Sequence, residues 1–481
     1  MHDWLQFFWE HIVAAALGDL GEVVAFTVIG ISMTQNLVYL VLLVVAFVVM
    51  ATRQSFRQSR ALWSGLVDLA PPITVIAPAF DEEATVVENV RSLMALKYPR
   101  FTVVLVNDGS NDGTLGALEA AFGLVPADRA PRSELEHAPV RGVYTSPALP
   151  NLLVVDKENG GKADALNAGL TYAESDLVCA VDVDCLLEAD ALLRVVQPFV
   201  EDPDHVVAMG GTVRVANGCA VKGGRIKRIG LPGNLLARLQ TVEYLRAFMM
   251  ARVSWGRIGA LMIVSGAFGI FRRDVLIEVG GYDRHTVGED LEVVVRIHRF
   301  MRDHDRRYRV EFVPDPVCWT QVPEELGALA RQRVRWQRGA IESFVRHKDM
   351  MLKRRYGRAG MIGLAQILFL DILTPLVELV GYVLLPVFFV LGVINWDFII
   401  AYLALTFAFG IFISVGSLIL EEVELSRFPR ATDLARLTLV AIFENFGYRQ
   451  LNNYWRLIGH LHHLRGKKGW GRQQRRAFAA G

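Results

Sequence analysis

At 481 residues the chain has room for two or three domains, and with 52% hydrophobic residues it is too apolar for an ordinary soluble enzyme, so part of it is expected in a membrane. Basic and acidic residues nearly cancel at 51 against 50, which gives no reason to expect nucleic-acid binding. The four cysteines, Cys179, Cys185, Cys219 and Cys318, show no paired metal-ligand spacing and read as free thiols in a reducing compartment.

No charged residue occurs between Glu22 and Arg53, and NLVYLVLLVVAFVVM inside that window is followed by Arg53, Arg57 and Arg60. This predicts a spanning helix with a basic cytoplasmic flank. The preceding IVAAALGDLGEVVAFTVIGISM carries Asp19 and Glu22; it is expected as a first span, or as an interfacial helix begun by WLQFFWEH. No basic n-region and no small-residue cleavage site precede the apolar stretch, so a cleaved signal peptide is not expected.

From residue 72 the pattern changes to short β-branched runs alternating with helical stretches. ITVIAPA, FTVVLVND, NLLVVDK and LVCAVDVD are four candidate buried strands, with helices over EEATVVENVRSLMAL and GGKADALNAGLTYAE. Such alternation predicts a parallel sheet covered by helices, with ligands at the carboxyl ends of the strands. Acidic residues sit at those ends: Asp81 and Glu82, then Asp108, then Asp182 and Asp184. If the fourth strand runs through VDVD, Asp182 and Asp184 point the same way and repel unless a cation, most simply a divalent metal, lies between them. A solvated acidic turn is the alternative. Residues 128–150, rich in Pro, Arg and Glu, read as a surface insertion. His298, His304, His460, His462 and His463 lack a metal-ligand pattern and are expected at the surface or interface.

Towards the C-terminus, 379–396 and 398–420 are free of charge and predict two spans. MIGLAQILFLDILTPLVE is interrupted by Asp371, Pro375 and Glu378, and 434–458 carries Arg436, Glu444, Arg449 and Arg456. Charges facing lipid are costly, so both segments are expected in the interface or around a polar cavity. The basic tail HHLRGKKGWGRQQRR is expected in the cytoplasm at anionic lipid. The layout is therefore an N-terminal transmembrane region (1–52), a cytoplasmic domain (72–345), C-terminal transmembrane and interfacial helices (360–458) and a basic tail (459–481).

The strings APAFDEE, VNDGSNDGT, GGKADALNAG, VDVDC, GED and QRVRW occur in that order between the apolar ends. Over residues 72–345 this series resembles the membrane-embedded family 2 glycosyltransferases, relatives of the cellulose, hyaluronan, chitin-oligosaccharide and poly-N-acetylglucosamine synthases. The resemblance implies an α/β GT-A (Rossmann-like) cytoplasmic domain inserted between N- and C-terminal transmembrane helices of a multi-pass inner-membrane protein. It also implies a nucleotide-sugar donor, usually a UDP-sugar, and inversion to a β-linkage.

By that resemblance Asp81 and Asp108 match base-binding positions; read alone, either could cap the following helix. Lys162 opens a glycine-preceded helix, where amides and an ammonium can meet a diphosphate. Asp184 would ligate Mg²⁺ or Mn²⁺, with Asp182 on the nucleotide side. Asp290 of the GED string would be the general base, although Gly288 stands where Thr is common; alternatively Glu289 and Asp290 are acids favoured in a first helical turn. Gln332, Arg335 and Trp336 share one helical face, where a guanidinium can clasp a diphosphate and an indole can stack on a sugar of the acceptor. The small residues of SGAFGIF could let an acceptor approach.

The leading expectation is a processive transferase that extends a β-linked glycan from a UDP-sugar and passes it across the bilayer through its own spans. N-acetylglucosamine is favoured because no regulatory domain is appended. Transfer of one sugar to a lipid acceptor is the alternative, and a catalytically dead scaffold would be expected to have lost one of the three aspartates. Whether an export partner is needed is not legible in the sequence.

Overall fold

The computed structural model describes residues 14–52, 69–390, 392, 396–425 and 431–466. Arg53, Arg57, Arg60, the aromatic WLQFFWEH and the tail beyond 466 lie outside the described residues. The described strands in chain order are β1 (Ile73–Ala79), β2 (Phe101–Asp108), β3 (Val125–Pro126), β4 (Val140–Ser146), β5 (Leu149–Lys157), β6 (Leu177–Val181), β7 (Leu186–Leu187) and β8 (Val206–Val215). They continue with β9 (Ala220–Lys222), β10 (Arg225–Arg228), β11 (Phe268–Arg272) and β12 (Arg309–Thr320).

Ten of them form one sheet in the order β3-β4-β5-β2-β1-β6-β11-β8-β12-β7, with β9 and β10 as a separate hairpin. The four expected strands are its centre and run parallel, Ile73 standing opposite both Phe101 and Leu177. Their residues alternate between two cores. Ile73, Val75 and Ala77 pack on one face with Val103 and Leu105, while Ile76 packs on the other with Val104 and Val106. A strand covered on both faces must be apolar at every position, which is why these runs read as continuous β-branched stretches.

The sheet is mixed rather than parallel throughout. β11 pairs antiparallel with β6 and with β8, and β4 pairs antiparallel with β5. The region 128–150 is thus only partly a surface insertion, since β4 within it extends the sheet edge.

Among the described residues, three helices flanking this core are long and apolar enough to cross a bilayer, Phe26–Thr52, Ala359–Val390 and Ile399–Glu422. At the N-terminal side the described helix is continuous over Ala14–Thr52. Its 39 residues rise about 58 Å with no turn, so the two N-terminal segments are one helix and not two spans. The interrupted segment around Asp371 likewise continues into the next apolar run, through π-helical turns at Ala359–Gly363 and Ile367–Leu373.

The segment 434–458 divides into two helices, Ala431–Phe443 and Tyr448–Leu464. Glu444, Arg449 and Arg456 face protein, whereas the Arg436 side chain is exposed. Arg449 pairs with Glu378 at 3.1 Å, and Asn453 donates to the same carboxylate at 2.6 Å.

His298 departs from the expected surface position. It is 2% exposed, one ring nitrogen 2.8 Å from the Tyr308 hydroxyl and the other 2.9 Å from the Leu261 carbonyl. Burial pushes its pKa down to about 4, with the Leu261 carbonyl opposing. The native state therefore refuses a proton that the unfolded chain accepts near the ordinary imidazole value, so this site contributes stability that is lost as pH falls through that window. We predict that the stability advantage of wild type over His298→Gln, measured by thermal unfolding in detergent, shrinks by up to about 3 kcal/mol from pH 7 to pH 4. A pH-independent difference would contradict it.

Candidate active site

Strand β6 ends at Val181, so Asp182 and Asp184 are not strand residues and strand alternation is not what aligns them. They lie in a turn closed by the Cys185 amide donating to the Asp182 carbonyl at 3.0 Å. The turn still brings them together. One ligand atom each from Asp182, Asp184 and Cys185 lies within 4.8 Å of the others. Burial first, and the Asp182 charge second, push the Asp184 carboxyl up to about 7, with Lys162 opposing. Two crowded carboxylates are an oxygen donor set that fits a hard divalent cation; the buried Cys185 thiol beside them is a soft donor that such a cation does not take.

Lys162 begins the helix Lys162–Tyr172, and its ammonium lies 2.5 Å from Asp182 and 3.4 Å from Glu289. It also donates to the Gly266 carbonyl at 3.2 Å. The amides expected to meet an anion at this helix start are already engaged. Gly160 and Gly161 donate to the Asp108 carboxylate at 3.0 and 2.8 Å, an arrangement that needs the left-handed φ of +90° at Gly161.

Asp108 is correspondingly buried, 3% exposed, and takes a further bond from Lys157 at 2.5 Å and one from Asn159 at 3.3 Å. Four protein donors leave its carboxylate committed to ordering the 157–161 loop. Burial pushes its pKa up, with Lys157 opposing. Asp81 is the exposed one of the pair. It adopts a left-handed φ of 54° and accepts from the Asn111 amide at 2.8 Å, which sets the β1 and β2 loops side by side. Neither aspartate caps the helix that follows with its side chain.

Asp290 lies in the first turn of Glu289–Asp303 and accepts from the Gly266 amide at 3.0 Å. SGAFGIF therefore enters the site through its backbone. A Cβ at Gly266 would fall 2.8 Å from the Lys162 ammonium and 3.3 Å from Asp290. Glu289 and Asp290 line a pocket with Ser265, Gly266 and Tyr282. Glu289 is 3% exposed, and burial raises its pKa, with Asp290 adding and Lys162 and Arg335 opposing. Sequence reasoning treated Glu289 only as a helix-terminus acid and missed Tyr282. For Glu289 the adjacent Asp290 was a signal; for Tyr282 there was none.

The helix Leu326–His347 carries Gln332, Arg335 and Trp336. Trp336 is 43% exposed, whereas Oε1 of Gln332 is buried and meets no donor among the described residues. This helix meets the start of Glu289–Asp303 at two glycines. A Cβ on Gly339 would sit 2.8 Å from Gly288 Cα, and one on Gly288 would sit 2.9 Å from Gly339 Cα. The glycine of the GED string thus answers a contact made by the second helix. Glu342 reinforces the junction by accepting from the Thr286 hydroxyl at 3.0 Å and the Val287 amide at 3.1 Å.

Residues 147–339 match the family described as glycosyltransferase like family 2, and residues 74–132 match glycosyl transferase family 2. The chain is similar to the poly-beta-1,6-N-acetyl-D-glucosamine synthase of Staphylococcus aureus, 30% identical over 281 residues, or 58% of this chain and 57% of the relative. The Staphylococcus epidermidis synthase of the same name is 28% identical over 275 residues, 57% and 56% of the two chains. The match thus spans a little over half the length of these curated relatives. Among solved structures, the mannosyltransferase PcManGT from Pyrobaculum calidifontis, in complex with GDP-Man and Mn²⁺, aligns with a TM-score of 0.55 at 18% identity over 94% of this chain and 100% of that one. At this identity the likeness concerns the fold, a GT-A-like mixed sheet.

The glycine junction yields a prediction. Gly339→Ala must push the two backbones apart, so turnover should fall by about ten- to a hundredfold through misplaced side chains. Gly327→Ala on the same helix meets only a side-chain atom at 3.6 Å and should leave turnover at the wild-type level. Equal rates for the two variants would show that the close approach does not matter.

Proposed function

We propose that this chain, which carries a family 2 glycosyltransferase domain over residues 74–339, is a processive inverting transferase. In this reading it lengthens a β-linked glycan of N-acetylglucosamine from its UDP-sugar. The observation that supports it most is the clustering of Lys162, Asp182, Glu289 and Asp290, packed through glycines against the helix that bears Gln332, Arg335 and Trp336. Similarity to the staphylococcal synthases favours N-acetylglucosamine and a polymeric product.

Asp81, exposed just beyond the carboxyl end of β1, faces the nucleotide base, while Asp108 shapes the loop beneath it. Lys162 and Arg335 supply the cations for the diphosphate. Asp184, with Asp182 on the nucleotide side, would hold Mg²⁺ or Mn²⁺, which when bound neutralises charge on the leaving group. Asp290 takes the proton from the acceptor hydroxyl as that oxygen attacks the anomeric carbon. The new carbon–oxygen bond forms on the face opposite the departing diphosphate, and the configuration inverts. Gln332 and Trp336 hold the terminal sugar of the glycan. The domain lies on the cytoplasmic side, and the glycan leaves through the flanking helices, where the Glu378, Arg449 and Asn453 cluster offers polar groups facing inward.

Purified full-length chain incubated with a panel of labelled UDP-sugars should make long polymer from UDP-N-acetylglucosamine alone. A single glycosylated lipid as the only product would replace this reading with the non-processive one.

Asp184→Ala should abolish Mg²⁺- or Mn²⁺-stimulated turnover. Asp290→Asn should keep nucleotide affinity near wild type while transfer falls at least about a hundredfold. If nucleotide binding is lost instead, Asp290 belongs to the donor side.

A further inference from the structure

The exposed indole of Trp336 has one face already taken. The Arg333 guanidinium lies over it, 4.4 Å from the ring centroid. Arg333 is only 4% exposed and is held by Glu243, to which it donates at 2.7 Å. The Tyr448 hydroxyl donates to the same carboxylate oxygen at 2.9 Å. Three elements thus meet behind one ring: the helix Leu326–His347, the helix Leu235–Leu245 and the first residue of the helix Tyr448–Leu464. A second clasp lies one residue beyond the indole. Gln337 donates to the Asp371 carbonyl at 2.9 Å and accepts from Arg456 at 2.7 Å.

We propose that Arg333 is a positioning residue for the acceptor, fixing the Trp336 ring and closing one of its faces so that only the other is open to a sugar. The inference rests on the acceptor role given to Trp336 above. An indole on an exposed helix face turns about two side-chain angles, and a sugar that stacks on it must otherwise arrest that motion on binding. A buried guanidinium over the ring restricts the motion beforehand, and the cation–π contact is worth most where water is excluded. Glu243 keeps the arginine charge paired, because a buried cation without a partner would be costly. Tyr448 in turn orients Glu243, so the C-terminal helix sets the platform without touching substrate.

The test is a double-mutant cycle on the full chain in detergent, with UDP-N-acetylglucosamine as donor and a short N-acetylglucosamine oligomer as acceptor. Arg333→Met should raise the acceptor KM about tenfold with kcat less affected, and shorten the product. Tyr448→Phe, which deletes only a hydroxyl, should shift the acceptor KM in the same direction by about threefold. In a Trp336→Ala background both substitutions should change the acceptor KM by less than about twofold, because the ring they act through is gone.

If the losses multiply instead, Arg333 acts independently of Trp336 and the inference is overturned, while the platform role of Trp336 stands. A fall in kcat at unchanged KM would overturn it too. Should Arg333→Met fail to fold, Tyr448→Phe carries the same cycle. If Trp336→Ala itself elongates at the wild-type rate, the acceptor reading fails and this inference falls with it.

Discussion

Four carboxylates and one ammonium gather in a single cluster. Asp182 and Glu289 flank Lys162 directly, Asp290 lies one residue further on, and Asp184 stands behind Asp182. Burial opposes the lysine charge, but Asp182 and Glu289 more than offset it and hold its pKa above the usual range. The cluster can be assembled only if β6 ends, and the helices Lys162–Tyr172 and Glu289–Asp303 begin, at the same place, because each contributes side chains from its terminus or first turn. Buried charge of this kind contributes little to stability, and it is retained where it organises a site.

The relation between the donor side and the acceptor side is set by contacts without side chains. Gly288 and Gly339 let two helices approach until their backbones touch, and Glu342 ties the approaching loop to the second helix. On the next turn His347 bonds to Glu292 at 3.1 Å, extending the junction along both helices. The candidate base and the exposed indole are thus held in one packed unit, which suits a reaction whose geometry tolerates little error.

The same helix faces the apolar bundle through polar contacts. Arg333 and Gln337 reach Glu243 and Asp371, while Arg246 pairs with Glu444 and Arg214 with Glu421. These charges on or beside the apolar helices are matched by protein partners, as intramembrane and interfacial charges require. Arg246 is the first residue of a π-helical turn, Arg246–Arg252, and Asp371 belongs to another, Ile367–Leu373. Such widened turns concentrate at functional positions in helices.

By itself the sequence determined the central strands, the apolar flanks and the order of the acidic motifs, because burial on both faces forces continuous β-branched runs and a bilayer forces long uncharged ones. It also singled out Asp182, Asp184, Lys162 and Asp290, which the fold brings into one cluster. Only the tertiary structure decided how they meet. Asp182 and Asp184 align through a turn rather than a strand, and Asp108 is absorbed by four donors, one of them 49 residues away at Lys157. The joining of the N-terminal segments into one helix was also undecided, since acidic residues within an apolar run are compatible with either a break or a buried face. Glu289, Tyr282 and Arg333 acquire their places from partners distant in the chain, and local pattern carries no record of such partners. Periodicity reports which face of an element is buried; it does not report what that face is buried against.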